Sequence, residues 1–249
     1  MINNSMKFLQ YLNEASIEIN QSMKNFADEV IKKLYELIDS HVTYNYFEKK
    51  LDKKEIYSGE IQSKFSDKEV KVNLNIKDDD HNWAHNNVIW LTISEDLYND
   101  FKKGGNKFKN IRSSVLHELI HIIDPKLNNP ELKEKSYKVI KSFTDDVEKL
   151  KKIIIYSKDF DEKQNAKNKL VKIFKEYYKF PWELDAYIST EAEEVFKDIK
   201  KKSRSKKDAL NYLKNYTPEN SLLKFYHEDQ KIWKRFILSI NKLIDKEYE

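Results

Sequence analysis

The sequence contains no cysteine. That absence excludes disulfides, thiolate metal sites and cysteine nucleophiles, so any metal must be held by histidine and carboxylate. Glycine and proline are scarce, at three and four residues among 249. A β-sandwich or barrel needs many tight turns, so this scarcity points to a mostly helical chain. No apolar run approaches the ~20 residues that span a bilayer. The N-terminal stretch lacks the basic-then-apolar order of a signal peptide. The expectation is a soluble cytoplasmic protein, although a virion component or a toxin exported by another route has the same signature. Neither sign of charge dominates: 46 basic and 42 acidic residues give +4. That is a mixed surface without the basic footprint of a nucleic-acid binder.

What is present centres on His117-Glu118-Leu119-Ile120-His121. The spacing predicts a helix over about 107–124, on which His117 and His121 project from one face about a turn apart. Both imidazoles can then reach one metal ion, with Glu118 placed to take a proton from a water. On a helical wheel Asn110, Ser113, Ser114, His121 and Asp124 fall within roughly 60° of His117. Ile111, Val115, Leu116, Leu119, Ile122 and Ile123 occupy the far side. An apolar half-circumference anchors such a helix in a core and turns the polar stripe toward a cleft.

Around this helix, residues 5–40 read as one or two helices, with Phe8, Leu9, Leu12, Ile19, Met23, Phe26, Val30, Leu34, Leu37 and Ile38 as their core stripe. Alternation over 60–65 and 70–76 predicts a hairpin about Ser66-Asp67, and 88–93 reads as a more buried third strand. The intervening Asp78-Asp79-Asp80-His81-Asn82-Trp83-Ala84-His85 stretch reads as a solvated loop, with His81 and His85 as a weaker second metal pair. A short helix over 95–101 closes at Gly104-Gly105. Asp124-Pro125 ends the metal helix, because proline disfavours helical geometry in the residue before it. Helices over about 130–156 and 162–178 read as scaffold, 197–207 as a solvated basic connector, and 206–215 and 218–246 as closing helices. The divisions are 1–50, 51–200 and 201–249, packed as one unit, in an α+β, predominantly helical fold with a small, at least partly antiparallel sheet.

Two histidines need a third protein ligand to make a catalytic zinc site. Asp124, Glu183, Asp185 and His227 are the possibilities. Asp124 is better placed to hold a histidine N–H. In Pro181-Trp182-Glu183-Leu184-Asp185-Ala186-Tyr187, proline can open a helix whose polar stripe carries Glu183. Asp185 falls on the buried side, where it needs a hydrogen-bond partner, and is the reserve ligand.

The His-Glu-Leu-Ile-His helix after a small sheet, followed by a glutamate on a later helix, resembles the zincin metallopeptidases, within them the Glu-ligand (gluzincin-like) group. The resemblance spans roughly residues 70–196. The metzincin extension is absent, since Leu127 stands where its third histidine would be. Tyr187 stands where thermolysin-like enzymes place an aspartate four residues after the ligand glutamate. The resemblance implies one Zn²⁺ per chain, held by His117, His121 and Glu183, and a peptide or protein substrate cut with Glu118 as general base. An oxyanion donor is expected among Tyr177, Tyr178, Tyr187 and His227, with Tyr187 and His227 the catalytic choices. The strand at 88–93 is expected to offer its edge to an extended peptide. No membrane or nucleic-acid partner is expected, and the oligomeric state is open. The competing expectation is a structural or interaction protein with a degenerate zincin domain.

Overall fold

The computed structural model describes residues 18–40, 43–65, 67–76, 82–103, 108–128, 130–218 and 221–249. The stripe positions Phe8, Leu9 and Leu12, the aspartates 78–80, His81 and the two glycines at 104–105 lie outside the described residues. The chain is predominantly helical, with one small mixed sheet.

Helix α1 (Gln21–Asp39) starts where the Asn20 side chain accepts a hydrogen bond from the Met23 N–H. It buries Met23, Phe26, Ala27, Val30, Leu34 and Ile38, three or four residues apart as a single apolar face requires. That face rests on β1 and on the histidine-bearing helix. Helix α2 (Tyr44–Leu51) adds Phe47 to the same core.

Four strands follow: β1 (Glu55–Ile61), β2 (Lys68–Asn75), β3 (Trp83–His85) and β4 (Val88–Thr92), in the order β1-β2-β4-β3. The β1–β2 and β3–β4 pairs are antiparallel, and β2–β4 is parallel. Strand β1 lies earlier than the 60–65 alternation predicts. Its ladder stops at Ile61 because the Gln62 backbone turns to α1, its N–H donating to Ser22 Oγ and its carbonyl accepting from the Asn20 side chain. Strand β3 replaces part of the expected loop. Asn86 and Asn87 both adopt positive φ, at 49° and 61°, which is the two-residue turn that suits a tight hairpin. Strand β4 therefore lies inside the sheet, and β3 forms the edge. The expectation that 88–93 offers a free edge is corrected accordingly.

Helix α3 (Glu95–Lys102) is capped by Ser94. Helix α4 (Phe108–Ile123) carries the histidines and stops before Pro125. Lys68 Nζ donates to the Ile122 carbonyl at 2.5 Å, satisfying one of the terminal acceptors. A 3₁₀ turn (Pro125–Asn128) leads into α5 (Pro130–Tyr156) and α6 (Phe160–Tyr177), which pack chiefly on one another. Helix α7 (Pro181–Lys202) opens with proline in its first turn, as the sequence predicts, and continues through Lys202. The expected basic connector is thus largely its last two turns. Those lysines pair with carboxylates, Lys197 with Glu194, Lys200 with Glu247 and Lys201 with Asp198. The closing helices are α8 (Lys206–Lys214), α9 (Ser221–Glu228) and α10 (Gln230–Glu247). The single helix expected over 218–246 breaks at Asp229, whose side chain caps α10 by accepting from Lys231 and Ile232 N–H.

Two buried clusters result. One joins α1, α2, the sheet, α3 and α4; the other joins α7 to α10. Helix α7 belongs to both, Ala186 entering the first and Leu184, Ile188, Ala192 and Val195 the second. A helix buried on two sides holds its remaining polar groups in place, and those groups include Glu183.

Candidate metal centre

Helix α4 rests its apolar half on the sheet and on α1, which leaves His117, Glu118 and His121 along the floor of a cleft of about 2160 Å³. Ser113 and Ser114 line the same cleft, as the polar stripe predicts. The side chain of Asn110 lies outside the described ones. Helix α7 crosses α4 and brings Glu183 over the histidines.

Three distances define the group. His117 Nε2 and His121 Nε2 are 3.0 Å apart. His117 Nε2 lies 3.3 Å from Glu183 Oε2, and His121 Nε2 lies 3.6 Å from Glu183 Oε1. Bonds of about 2.0–2.1 Å at tetrahedral angles put the ligand atoms of a zinc ion about 3.3–3.4 Å apart. Each imidazole faces a different oxygen of the Glu183 carboxylate, at separations close to those such an ion requires, and the donor set, two imidazoles and one carboxylate, suits zinc. Among the described residues no other group of histidines and carboxylates converges in this way.

Electrostatics tie the group together. Burial disfavours a charged His121, yet the adjoining Glu183 carboxylate outweighs it and lifts the imidazole pKa to about 9. Burial also works against the Glu183 charge, but the two imidazoles hold its pKa far below the ordinary carboxylate range. Glu118 is buried as well, and loss of water raises its pKa despite the histidines beside it. The Ala84 N–H donates to its carboxylate. Opposite Ile89 in a tight hairpin, Ala84 occupies a non-hydrogen-bonded pair, so its N–H and carbonyl point away from β4 at the outer edge of the sheet, where the N–H meets Glu118. Sequence inspection missed this contact; the Asn86-Asn87 turn signal could have revealed β3.

Three tyrosines surround these three residues. Tyr177 Oη donates to Glu183 Oε1 at 2.7 Å. The Tyr187 ring packs 4.2 Å from that of His117, and its hydroxyl donates to Tyr178. Burial chiefly, and then the Glu183 charge, raise the Tyr177 and Tyr187 pKa values, so both phenols keep their protons.

The remaining expected residues lie elsewhere or play other parts. His227 is exposed on α9, its ring edge-on to Trp233 and away from the cleft, so the structure does not bring it to the site. Asp185, the reserve ligand, is buried on the opposite side of α7 against Arg235 of α10. Asp124 is buried near His121 and favours its charged form. His117 Nδ1 is buried without a hydrogen-bond partner among the described residues. His85 lines the cleft from β3. No protein-family model, curated protein or solved structure compared with the chain matches it.

Proposed function

We propose that the protein is a zinc-dependent peptidase of zincin type, in which His117, His121 and Glu183 hold the ion and Glu118 is the general base. The observation that carries this is the convergence of two imidazole nitrogens and a buried carboxylate within 4.8 Å of one another, with a second buried carboxylate next in sequence to the first histidine. His117, His121 and Glu183 would hold a zinc ion, which when bound would supply Lewis acidity to a water and to a substrate carbonyl. Glu118, its pKa raised by burial, takes a proton from the attacking water and passes it to the leaving amine. The Ala84 N–H fixes that carboxylate, and the outward Ala84 carbonyl offers an acceptor to an extended peptide lying along β3. Tyr177 orients Glu183 through its hydrogen bond, as a partner behind a metal ligand does. Tyr177 and Tyr187 commit their hydroxyl protons to Glu183 and Tyr178, which leaves Tyr178 as the phenol of this trio able to donate to a developing oxyanion.

The test is a digest of a peptide library by the zinc-loaded protein, compared with the Glu118→Gln variant. Wild type is expected to produce new termini. The variant should retain one zinc per chain and lose activity by about 10²–10⁴-fold. A fully active variant removes Glu118 from the mechanism. A zinc-loaded wild type that cuts nothing transfers the site to a structural or interaction role.

A further inference from the structure

We infer that the cleft-facing side of α5 is an accessory binding surface that grips apolar side chains of a substrate polypeptide away from the bond being cut. This rests on the peptidase proposal and adds a substrate class to it: chains of several residues carrying bulky apolar groups, in place of dipeptides or free amino-acid derivatives.

Tyr137, Ile140, Phe143, Val147 and Lys151 of α5 all line the cleft, at steps of three and four residues, so they form one continuous helical face. At 1.5 Å per residue the row is about 21 Å long. An extended chain rises about 3.3 Å per residue, so the row matches roughly six residues of peptide. Ser136, Thr144 and Glu148 of the same helix also line the cleft, so the apolar row is flanked by polar groups and ends at Lys151. Tyr137 is 67% exposed and Ile140 is 40% exposed. Large apolar side chains left in water along a cleft mark a binding surface more often than chance placement does.

Continuity with the metal group supplies the occupant. The Phe143 ring stacks 4.1 Å from Tyr177, whose hydroxyl donates to Glu183. The row therefore connects to Glu183 through Tyr177 and runs on in both directions along the cleft. Trp83, stacked on Trp90 and 45% exposed, presents a second apolar surface from the β3 wall. A strand held between β3 and α5 would place its backbone on the former and alternate side chains on the latter. Within the row Val147 is buried and Phe143 packs on Phe174 and Tyr177 of α6, which seats this face of α5, while Tyr137 and Ile140 stay open to the cleft.

The experiment has two arms, both with the full zinc-loaded chain. In the first, the inert Glu118→Gln protein binds fluorescein-labelled, reduced and carboxymethylated casein, followed by anisotropy. Adding Tyr137→Ser with Ile140→Ser, both at exposed positions, should weaken that binding about tenfold, the scale of partly losing two large apolar contacts. In the second, wild type and the Tyr137→Ser/Ile140→Ser variant are compared on casein and on a tetrapeptide spanning a mapped cleavage site. KM for casein should rise about tenfold with kcat unchanged, and the ratio of casein to tetrapeptide kcat/KM should fall by the same factor. Casein binding unaffected by the substitutions, or equal losses on both substrates, overturns the inference. So does a switch from dimer to monomer with casein turnover intact, which would make this face a contact between two copies of the chain. Absence of hydrolysis by wild type counts against the peptidase proposal, and the anisotropy arm then still decides the accessory surface.

Discussion

His121 and Glu183 share a charge problem that a metal resolves. Without a cation the buried Glu183 carboxylate draws a proton onto His121, raising its pKa to about 9. A metal binds only the neutral imidazole, so below that pH binding must expel the proton. The sign follows: apparent zinc affinity should climb with pH by up to about tenfold per unit between about pH 6 and pH 9, then level off. Competition against a buffered chelator measures it. A flat profile over that range would mean that His121 is not protonated in the free protein or is not a ligand. The histidine pair was legible because both residues and Glu118 lie on one helix, where four-residue spacing is also spatial proximity. Glu183 was legible as a polar position on a proline-opened helix. Ala84 and Tyr177 were not assignable, because their roles depend on where β3 and α6 come to rest. Asp185 was placed correctly on a buried side, but nothing in the chain singles out Arg235 as its partner from 46 basic residues.

Helix α7 is the element on which the proposed metal centre depends. Its first turn supplies Glu183, and two residues later Asp185 ties it to α10 through Arg235, with the side chains 3% and 13% exposed. On its other side Glu193 pairs with Lys24 of α1 at 2.7 Å. Removing one member of a buried pair leaves an uncompensated charge, so Arg235→Met should cost about 3–5 kcal/mol in urea unfolding. Asp185→Leu combined with Arg235→Met should recover most of that loss, because no charge is then stranded. A negligible loss from Arg235→Met would show that the pair does not anchor α7. Long helices were legible at this scale, with α5 and α7 starting at the prolines that open them. Short strands were less so. Alternation at 60–65 suggested a strand that the Gln62 backbone ends by bonding to α1, and β3 is only three residues long. Both outcomes reflect tertiary hydrogen bonds that local pattern does not encode.

For the whole molecule, two cores meet at one helix and a cleft opens between the sheet edge and the α5–α6 pair, with the ligand atoms on its floor. Composition indicated the predominantly helical α+β class, since so few glycines and prolines leave room for only a small sheet. Among the described residues no helix is long and apolar enough to cross a membrane. The two-sided burial of α7 was not visible in the sequence, because it requires knowing which helices pack against it. That burial makes Glu183 a fixed group instead of a solvated one, and the proposed chemistry depends on it. The most direct measurement is an anomalous difference map at the zinc edge from a crystal of the zinc-loaded protein. The account predicts one peak, about 2.0–2.2 Å from His117 Nε2, His121 Nε2 and a Glu183 carboxylate oxygen. A map with no peak among those three side chains, or with zinc bound only at other residues, would contradict it.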